Sequence, residues 1–347
     1  MSTRVTTADI AVHLGLAKST VTHVLSGRAK QLRISAATQA RVHNAVRELG
    51  YRPNASARAV GRGRFGCAAL IQPLEGIYLP TGLLLGITDE LQRNDMHLVV
   101  SEVHDARLKD ANYLPKVVRE VAADGLLINM MTQIPAPLLE TLHSLNAPAV
   151  WVNKKQPEDA VHPDDIHAGR WATEHLIGLG HKRIAFMVSY DMQRTDLHYS
   201  VYDRRQSYAD VMQKAGLEPQ ILSLPATPHT LEEIRADQRL QYMIEILSDD
   251  SRPTAVVAYT HNIVLPLLQA AAHLGLLLPR DLSVVMFSDG PNRDIGRPVT
   301  TVCQRMSEVG HEAVKMLLRK IEDPAQPQPS RALAPWFFQG DTSGPAP

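Results

Sequence analysis

Cysteine is scarce in this chain: Cys67 and Cys303 are the two in 347 residues, and they lie far apart. That supports neither a disulfide framework nor a zinc site, and it suits a reducing cytosol. No apolar run approaches the roughly 18 residues that suggest a membrane span. No apolar core follows the first few charges, so a signal peptide is not expected; the expectation is a cytoplasmic protein with no membrane partner. A P-loop, G-x-S-x-G, H-E-x-x-H and paired C-x-x-C are all missing. The chain therefore reads as a non-enzyme with no cofactor. Gly61, Gly63 and Gly66 do spell G-x-G-x-x-G. A dinucleotide fingerprint needs a strand before it and a helix after it. This one has an arginine-rich linker before it and a strand pattern after it, so it is rejected.

Net charge is zero, but it is unevenly spread. Residues 1–64 carry eleven Lys/Arg against only Asp9 and Glu48, a balance of +9, which leaves −9 on the rest. A basic head on an acidic body is the asymmetry expected of a nucleic-acid-binding module joined to something else. Apolar residues make up 44%, enough for a large core. In TADIAVHL (7–14), Ile10, Ala11 and Leu14 share one face, and Gly15 stops the helix. A second helix follows in KSTVTHVL, with Val21, Val24 and Leu25 on one face and Lys18, Ser19, Thr22 and His23 on the other. A third runs from about Ser35 to Leu49, lined by Val42, Ala45, Val46 and Leu49. Helix, tight turn, helix is the helix-turn-helix arrangement, whose second helix fits the major groove.

YRPNASARAVGRGR (51–64) is rich in Ala and Arg. A helix of about eight residues from Asn54 is too short to persist alone in water, but contacts with DNA would offset its ordering. Val60 is its one sizeable apolar side chain, suited to wedging into a minor groove. A flexible linker is the plain alternative, and the two readings hold together in different states.

From Gly66 onward, short apolar runs alternate with amphipathic stretches. The strand candidates are Cys67–Ile71, His97–Val100, Gly125–Ile128, Ala149–Val152, Ile184–Val188, Ala255–Ala258 and Ser283–Phe287. Strict alternation means βαβ units on parallel sheets, and the length suggests two α/β lobes with a cleft. Open α/β sheets bind ligands beyond the carboxyl ends of their strands. Ile77, Tyr78, Asn129, Asn153, Tyr259 to His261, Ser288 and Asp289 are then the site candidates. HPDDIH (162–167) is the best metal-ligand pattern, yet it also reads as a loop with acidic residues at a helix N-terminus, and no metal is expected there.

VTTADIAVHLGLAKSTVTHVLSGRA, followed by ISAATQARVHNAVRELGYRPNASARAV, resembles the DNA-binding head and hinge of the LacI/GalR family of bacterial transcriptional regulators. IGLGHKRIAFM (177–187) and LGLLLPRDLSVVMFSD (274–289) carry the likeness of the body to that family's periplasmic-binding-protein-like effector core. The resemblance implies an all-α helix-turn-helix head (1–50), a hinge helix (51–64) and an α/β core of two lobes (65–347). It implies base reading by Lys18, Ser19 and His23, and phosphate contacts from Thr6, Thr20 and Thr22. Asn54, Ala57 and Val60 would be hinge-helix contacts to DNA, with Val60 in place of the family's usual leucine. Ala17 replaces a serine N-cap, a loss of about 1 kcal/mol. His23 stands where arginine is common, and neutral His cannot bridge a guanine with two hydrogen bonds.

In the cleft, the resemblance implies effector contacts from Asn129 and Arg204. Arg204 falls in the R-x-x-G-aromatic segment, here with Ser207 for glycine. Asn153 and Ser288 stand where aspartates are common, Asp289 adjoins Ser288, and Thr260-His261 replaces Asn-Asp. Charged acceptors for sugar hydroxyls are thinned out, which points to a sugar derivative or another small polar metabolite. The tail DTSGPAP lacks leucine heptads, so no tetramerising tail is implied; a homodimer on a palindromic double-stranded operator is. The family's usual sense is repression. The rival readings are a DNA-binding regulator with a vestigial or non-sugar cleft, and a sugar-handling enzyme with a fused helical domain.

Overall fold

The computed structural model describes residues 5–52, 64–73, 79–104, 107, 110, 113–120, 122–130, 134, 136–189, 197–223, 236–291 and 296–347. The chain divides into two compact units, Met1–Phe65 and Gly66–Pro347.

The first unit holds three helices, α1 (Thr7–Leu14), α2 (Lys18–Leu25) and α3 (Ala36–Glu48). Their apolar faces meet in one small core of Ile10, Ala11, Val21, Val24, Ala29, Val42 and Ala45. Thr6 caps α1 in a reciprocal box with Asp9, and Gly15 ends the helix at φ 63°, where a side chain would be strained. Ser35 caps α3 through the Thr38 amide. Ala17, with no oxygen to offer, leaves α2 without a side-chain cap. Arg41 ties α3 to the end of α1 by donating to the Leu14 carbonyl at 2.9 Å.

The second unit is an α/β core of two lobes, each with a six-stranded sheet. Lobe 1 contains β1 (Cys67–Pro73), α4 (Thr81–Arg93), β2 (His97–Val103), α5 (Lys116–Arg119), β3 (Gly125–Ile128), α6 (Ala136–Ser144), β4 (Ala149–Val152) and β5 (Ala160–Pro163). Lobe 2 follows with α7 (Asp165–Gly178), β6 (Ile184–Val188), α8 (Tyr199–Lys214), β7 (Gln220–Ser223), α9 (Ala236–Ser248), β8 (Ala255–Ala258), α10 (His261–His273), β9 (Ser283–Ser288) and β10 (Thr300–Cys303). The chain then returns to lobe 1 as α11 (Met306–Glu322) and β11 (Arg331–Leu333), and ends in lobe 2 with β12 (Trp336–Phe338). The sheet orders are β11-β5-β4-β3-β1-β2 and β12-β10-β9-β8-β6-β7, parallel throughout except for β12. The lobes are thus joined by three crossings, at 164, 304–305 and 334–335.

The central strands are apolar on both faces because helices cover both faces. Leu70, Leu127, Val150 and Val161 pack under α4 and α11, while Ala69, Ile71, Leu126 and Ile128 fill the opposite layer. In lobe 2, Phe186, Val257, Val285 and Tyr208 belong to a single core. The tail forms a strap across this lobe: Thr342 is fully buried, and His181 is enclosed by Thr254, Ser283 and the Gly344 carbonyl. Among the described residues no helix is long and apolar enough to cross a membrane.

Helices α4 and α11 cross at Gly86 and Gly310. A Cβ on Gly86 would stand 2.0 Å from the Ser307 carbonyl oxygen, whereas one on Gly178, in α7, would meet nothing within 4 Å. Gly86→Ala is expected to destabilise the core by about 1–3 kcal/mol through overpacking. Gly178→Ala is expected to be neutral or to gain up to about 1 kcal/mol from helix propensity. Urea midpoints of the two variants give the comparison.

Candidate functional site

In the head, Lys18, Ser19 and Thr22 lie exposed along α2, and Thr20 and His23 are half-buried on its flank. The Thr22 hydroxyl donates to the Lys18 carbonyl at 2.9 Å, and Thr6 is engaged by Asp9. Arg28, Lys30, Arg33, Arg41, Arg47 and Arg52 are all exposed, so the unit carries its positive charge in solvent. Asn54, Ala57, Val60, Ile77 and Tyr78 lie outside the described residues.

In the core, polar groups gather at the carboxyl ends of the strands, where the crossings also run. Arg204, on α8, is buried; its Nε donates to Asp165 Oδ1 at 2.7 Å, and its Nη1 donates to the Tyr259 carbonyl at 3.2 Å. The guanidinium lies over the rings of Tyr259 and Phe287, at 4.8 and 4.5 Å from their centroids. Asp165 follows the first crossing, and Gln304, on the second, donates to the same Oδ1 at 2.9 Å. Asp165 holds the Arg204 pKa above its ordinary value, although burial pushes the other way. Ser207, where the family pattern has glycine, fits because α7 carries Gly169 opposite it: a Cβ there would come within 2.2 Å of Ser207 Oγ.

Three contacts bring the lobes together around this pair. His198 Nε2 lies 2.7 Å from the Asn153 carbonyl oxygen and donates to it. Lys155 pairs with Asp203 at 2.9 Å. The Gly82 amide, in the first turn of α4, donates to Asp289 Oδ2 at 3.0 Å. Asn153 takes a left-handed φ of 54°, which Asn tolerates better than most residues. With its Nε2–H committed, His198 accepts at Nδ1 from Ser200 (2.7 Å), whose oxygen accepts from the Tyr259 hydroxyl (2.7 Å). Burial lowers the His198 pKa to about 4, so the ring is neutral at pH 7. Burial also raises the Asp289 carboxyl and lowers the half-buried Lys154 amine.

Both side-chain polar atoms of Asn129 and Gln72 Oε1 are buried without a hydrogen-bond partner, whereas the buried Tyr199 hydroxyl faces the Asp165 carboxylate; burial, together with that carboxylate, pushes its pKa up. Asn129 and Gln72 are neighbours at the ends of β3 and β1, where the Asn129 amide donates to the Ile71 carbonyl. Unpaired buried polar groups are costly, and the adjacent pair Asn129 and Gln72 marks a place that suits a ligand or water.

The structure thus brings Asn129, Asn153, Arg204 and Asp289 to the region between the lobes. Ser288 ends β9 with its carbonyl accepting from the Gln304 amide, and Thr260 begins α10 with its hydroxyl against Asn262. Asp165, His198, Tyr199 and Gln304 were not foreseen as ligand-site residues; they sit at helix starts and a crossing rather than just past a strand. The HPDDIH segment disperses: Asp164 caps α7, Asp165 pairs with Arg204, and His167 stacks on Trp171. No group of three or more metal-ligating side chains suited to a metal ion occurs among the described residues.

A small helical head with an exposed polar helix, followed by a two-lobed α/β core, is the architecture of a DNA-binding transcriptional regulator. Residues 6–54 match the model for bacterial regulatory proteins of the lacI family, and residues 173–343 match the periplasmic binding protein-like domain. The chain is 24% identical over 331 residues to the HTH-type transcriptional repressor PurR of Actinobacillus pleuropneumoniae serotype 3, covering 93% of this chain and 94% of that one. It is 26% identical over 336 residues to the ribose operon repressor of Haemophilus influenzae, covering 95% and 96%. The lac repressor dimer bound to operator and the anti-inducer ONPF shares the fold at a TM-score of 0.81 and 21% identity, covering 99% of this chain and 100% of that one. The regulator CelR in complex with cellobiose does so at 0.64 and 23%, covering 98% and 100%. The chain thus carries a lacI-family DNA-binding domain followed by a periplasmic binding protein-like domain, and it is similar along its length to lacI-family transcriptional repressors.

Folding favours the neutral imidazole of His198. Its contribution is complete above the unfolded value of about 6.5 and is lost as pH falls from there toward 4. His175 and His181, also lowered by burial, act in the same direction. The urea midpoint of the wild type is expected to fall between pH 7 and pH 5, and His198→Gln should reduce that fall. An unchanged pH slope in the variant would contradict the assignment.

Proposed function

We propose that this protein is a cytoplasmic repressor that binds a palindromic operator as a homodimer and answers to a small polar metabolite, a sugar or sugar derivative, held between the core lobes. The observation that carries the ligand half is the pair of buried, unpaired side chains Asn129 and Gln72 at the carboxyl ends of β3 and β1, with the buried polar group of Arg204 and Asp165 at the lobe crossings. The DNA half rests on the exposed Lys18, Ser19 and Thr22 of α2 within a unit of strongly positive charge. Thr6, Thr20 and Thr22 are proposed as phosphate contacts and His23 as a base contact; Asn54, Ala57 and Val60 are proposed to complete the DNA surface. Ile77, Tyr78, Asn129, Asn153, Arg204, Thr260, Ser288 and Asp289 are the proposed effector residues.

A dimer is supported by large apolar side chains left in solvent on both lobes, among them Leu85, Val99 and Val100 on lobe 1 and Leu265 and Leu277 on lobe 2. The named relatives bear on this too: one solved neighbour is a dimer on its operator, and two curated relatives are repressors. The proposed mechanism is linkage. A ligand that favours one setting of the lobes changes DNA affinity by the difference in its own affinity for the two settings.

Lys18→Ala tests the reading of α2. It is expected to cost about 1–3 kcal/mol on operator DNA and to relax choice at one or two base pairs. The check is anisotropy titration against operator and against scrambled competitor. Equal loss on both would make Lys18 a phosphate contact only.

A further inference from the structure

We infer that Asp289 is an interlobe latch: a residue of lobe 2 that caps a helix of lobe 1 and so holds the two lobes in the setting seen here. Helix α4 begins without a cap of its own. Its N-cap residue is Pro80, which offers no side-chain acceptor, and its first turn holds no acidic residue. The Pro80 carbonyl accepts from the Leu84 amide, but the amides of Thr81, Gly82 and Leu83 can have no partner within the helix. Asp289, just past β9 and 207 residues along the chain from Gly82, supplies the missing acceptor: its Oδ2 takes the Gly82 N–H at 3.0 Å. A carboxylate suits that place because it meets both a free amide and the positive end of the helix dipole.

The contact is anchored on both sides. On lobe 1, a Cβ on Gly82 would stand 3.3 Å from both Asp289 Oδ2 and the Ser307 amide nitrogen, and 3.5 Å from Met306 Cβ. The start of α4 therefore sits in a notch between Asp289 and the first turn of α11. One turn on, Gly86 lies against the Ser307 carbonyl, and Gly310 lies against the backbone of Leu83 and Ile87. What holds Gly82 thus holds α4 and α11 as one body. On lobe 2, Asp289 is half-buried and feels the charge of His261, the first residue of α10. Helices α10 and α11 also begin without a side-chain cap. The starts of three helices therefore gather round one carboxylate. Asp289 travels with lobe 2 and Gly82 with lobe 1, so parting the lobes breaks the bond and leaves α4 uncapped. Where the ligand reading of this region holds, a donor on the ligand competes with the Gly82 amide for the same carboxylate, so occupancy and release of the latch are linked.

The test reads the lobe setting directly, with no ligand or DNA added, so its outcome is separate from that of the ligand reading. Spin labels are placed at Glu140→Cys on α6 and Lys214→Cys on α8, both exposed positions, and their separation is measured by pulsed electron spin resonance. The full-length protein carries Cys67→Ala, because Cys67 is half-exposed whereas Cys303 is buried. An excess of unlabelled protein isolates distances within one chain. Asp289→Ala is expected to raise the share of chains outside the wild-type distance peak about tenfold, as the loss of a hydrogen bond to a charged group implies. Asp289→Asn keeps an acceptor oxygen and is expected to stay closer to the wild type. Pro80→Ser gives α4 a cap of its own. Combined with Asp289→Ala, it is expected to recover the urea midpoint lost in the single variant but not the distance distribution. A wild-type distribution in Asp289→Ala overturns the inference, and so does an Asn variant no closer to the wild type than the Ala variant. Full return of the distribution in the double variant also overturns it, since Asp289 would then be a cap for α4 and nothing more.

Discussion

The core is organised around one buried ion pair. Arg204 projects from α8, and Asp165 begins α7 immediately after the chain crosses between the lobes; Gln304, on the next crossing, closes on the same carboxylate oxygen. Burying two charges is costly, and the cost is offset only when geometry is good and every lone pair and proton is matched. Here one carboxylate oxygen is doubly engaged, by Arg204 and Gln304, and the Tyr199 hydroxyl also faces the carboxylate. Through Asp165 the pair ties two of the three crossings to lobe 2 with polar contacts. The close approach of α7 and α8 at Gly169 and Ser207 is the backbone counterpart of the same constraint.

Around that pair, among the described residues, the interlobe contacts include an imidazole on a carbonyl, a lysine on an aspartate, a helix-turn amide on a carboxylate, and the His162 ring edge-on to Tyr199. The one ion pair among them, Lys155–Asp203, is partly exposed and worth at most about 1 kcal/mol, and each of the two hydrogen bonds adds about 0.5–3 kcal/mol net. A seam of that strength is one a ligand of ordinary affinity can rearrange, as a coupling free energy of about 1–3 kcal/mol requires. The greater rigidity lies within the lobes, in the closely crossed α4 and α11 and in the tail strapped onto lobe 2 by Thr342 and His181. In the proposed account the lobes move as bodies and the seam changes.

Most of the architecture was legible where burial writes a strong pattern. The three head helices, the stop at Gly15, and seven of the strands from β1 to β9, all but β2 largely buried, announce themselves as apolar runs or 3.6-residue periodicity. The strands that escaped are short or mixed. β5 ends in His-Pro, β7 is a half-exposed edge, β10 is half threonine, and β11 and β12 are three-residue strands on either side of Pro335. The tail read only as a segment without heptads, yet its threonine and serine side chains are buried in hydrogen bonds with β9 and β10. The site divides the same way. Asn129, Asn153 and Asp289 follow strands and so fall under the rule for open α/β sheets. Asp165 carried the right signal, an acidic pair opening a helix, but its partner is 39 residues away, and only the fold reveals that its charge is spent on Arg204. His198, Tyr199 and Gln304 have no local signature at all.

The central claim is that occupancy between the lobes governs DNA binding by the head. The most direct measurement is operator affinity, by anisotropy on a labelled genomic fragment the protein selects, with and without a saturating metabolite already shown to bind the core. The account predicts a change of about 5–150-fold in the operator dissociation constant, with the reciprocal change in metabolite affinity when operator is bound. Identical operator affinity with the core demonstrably occupied would contradict it.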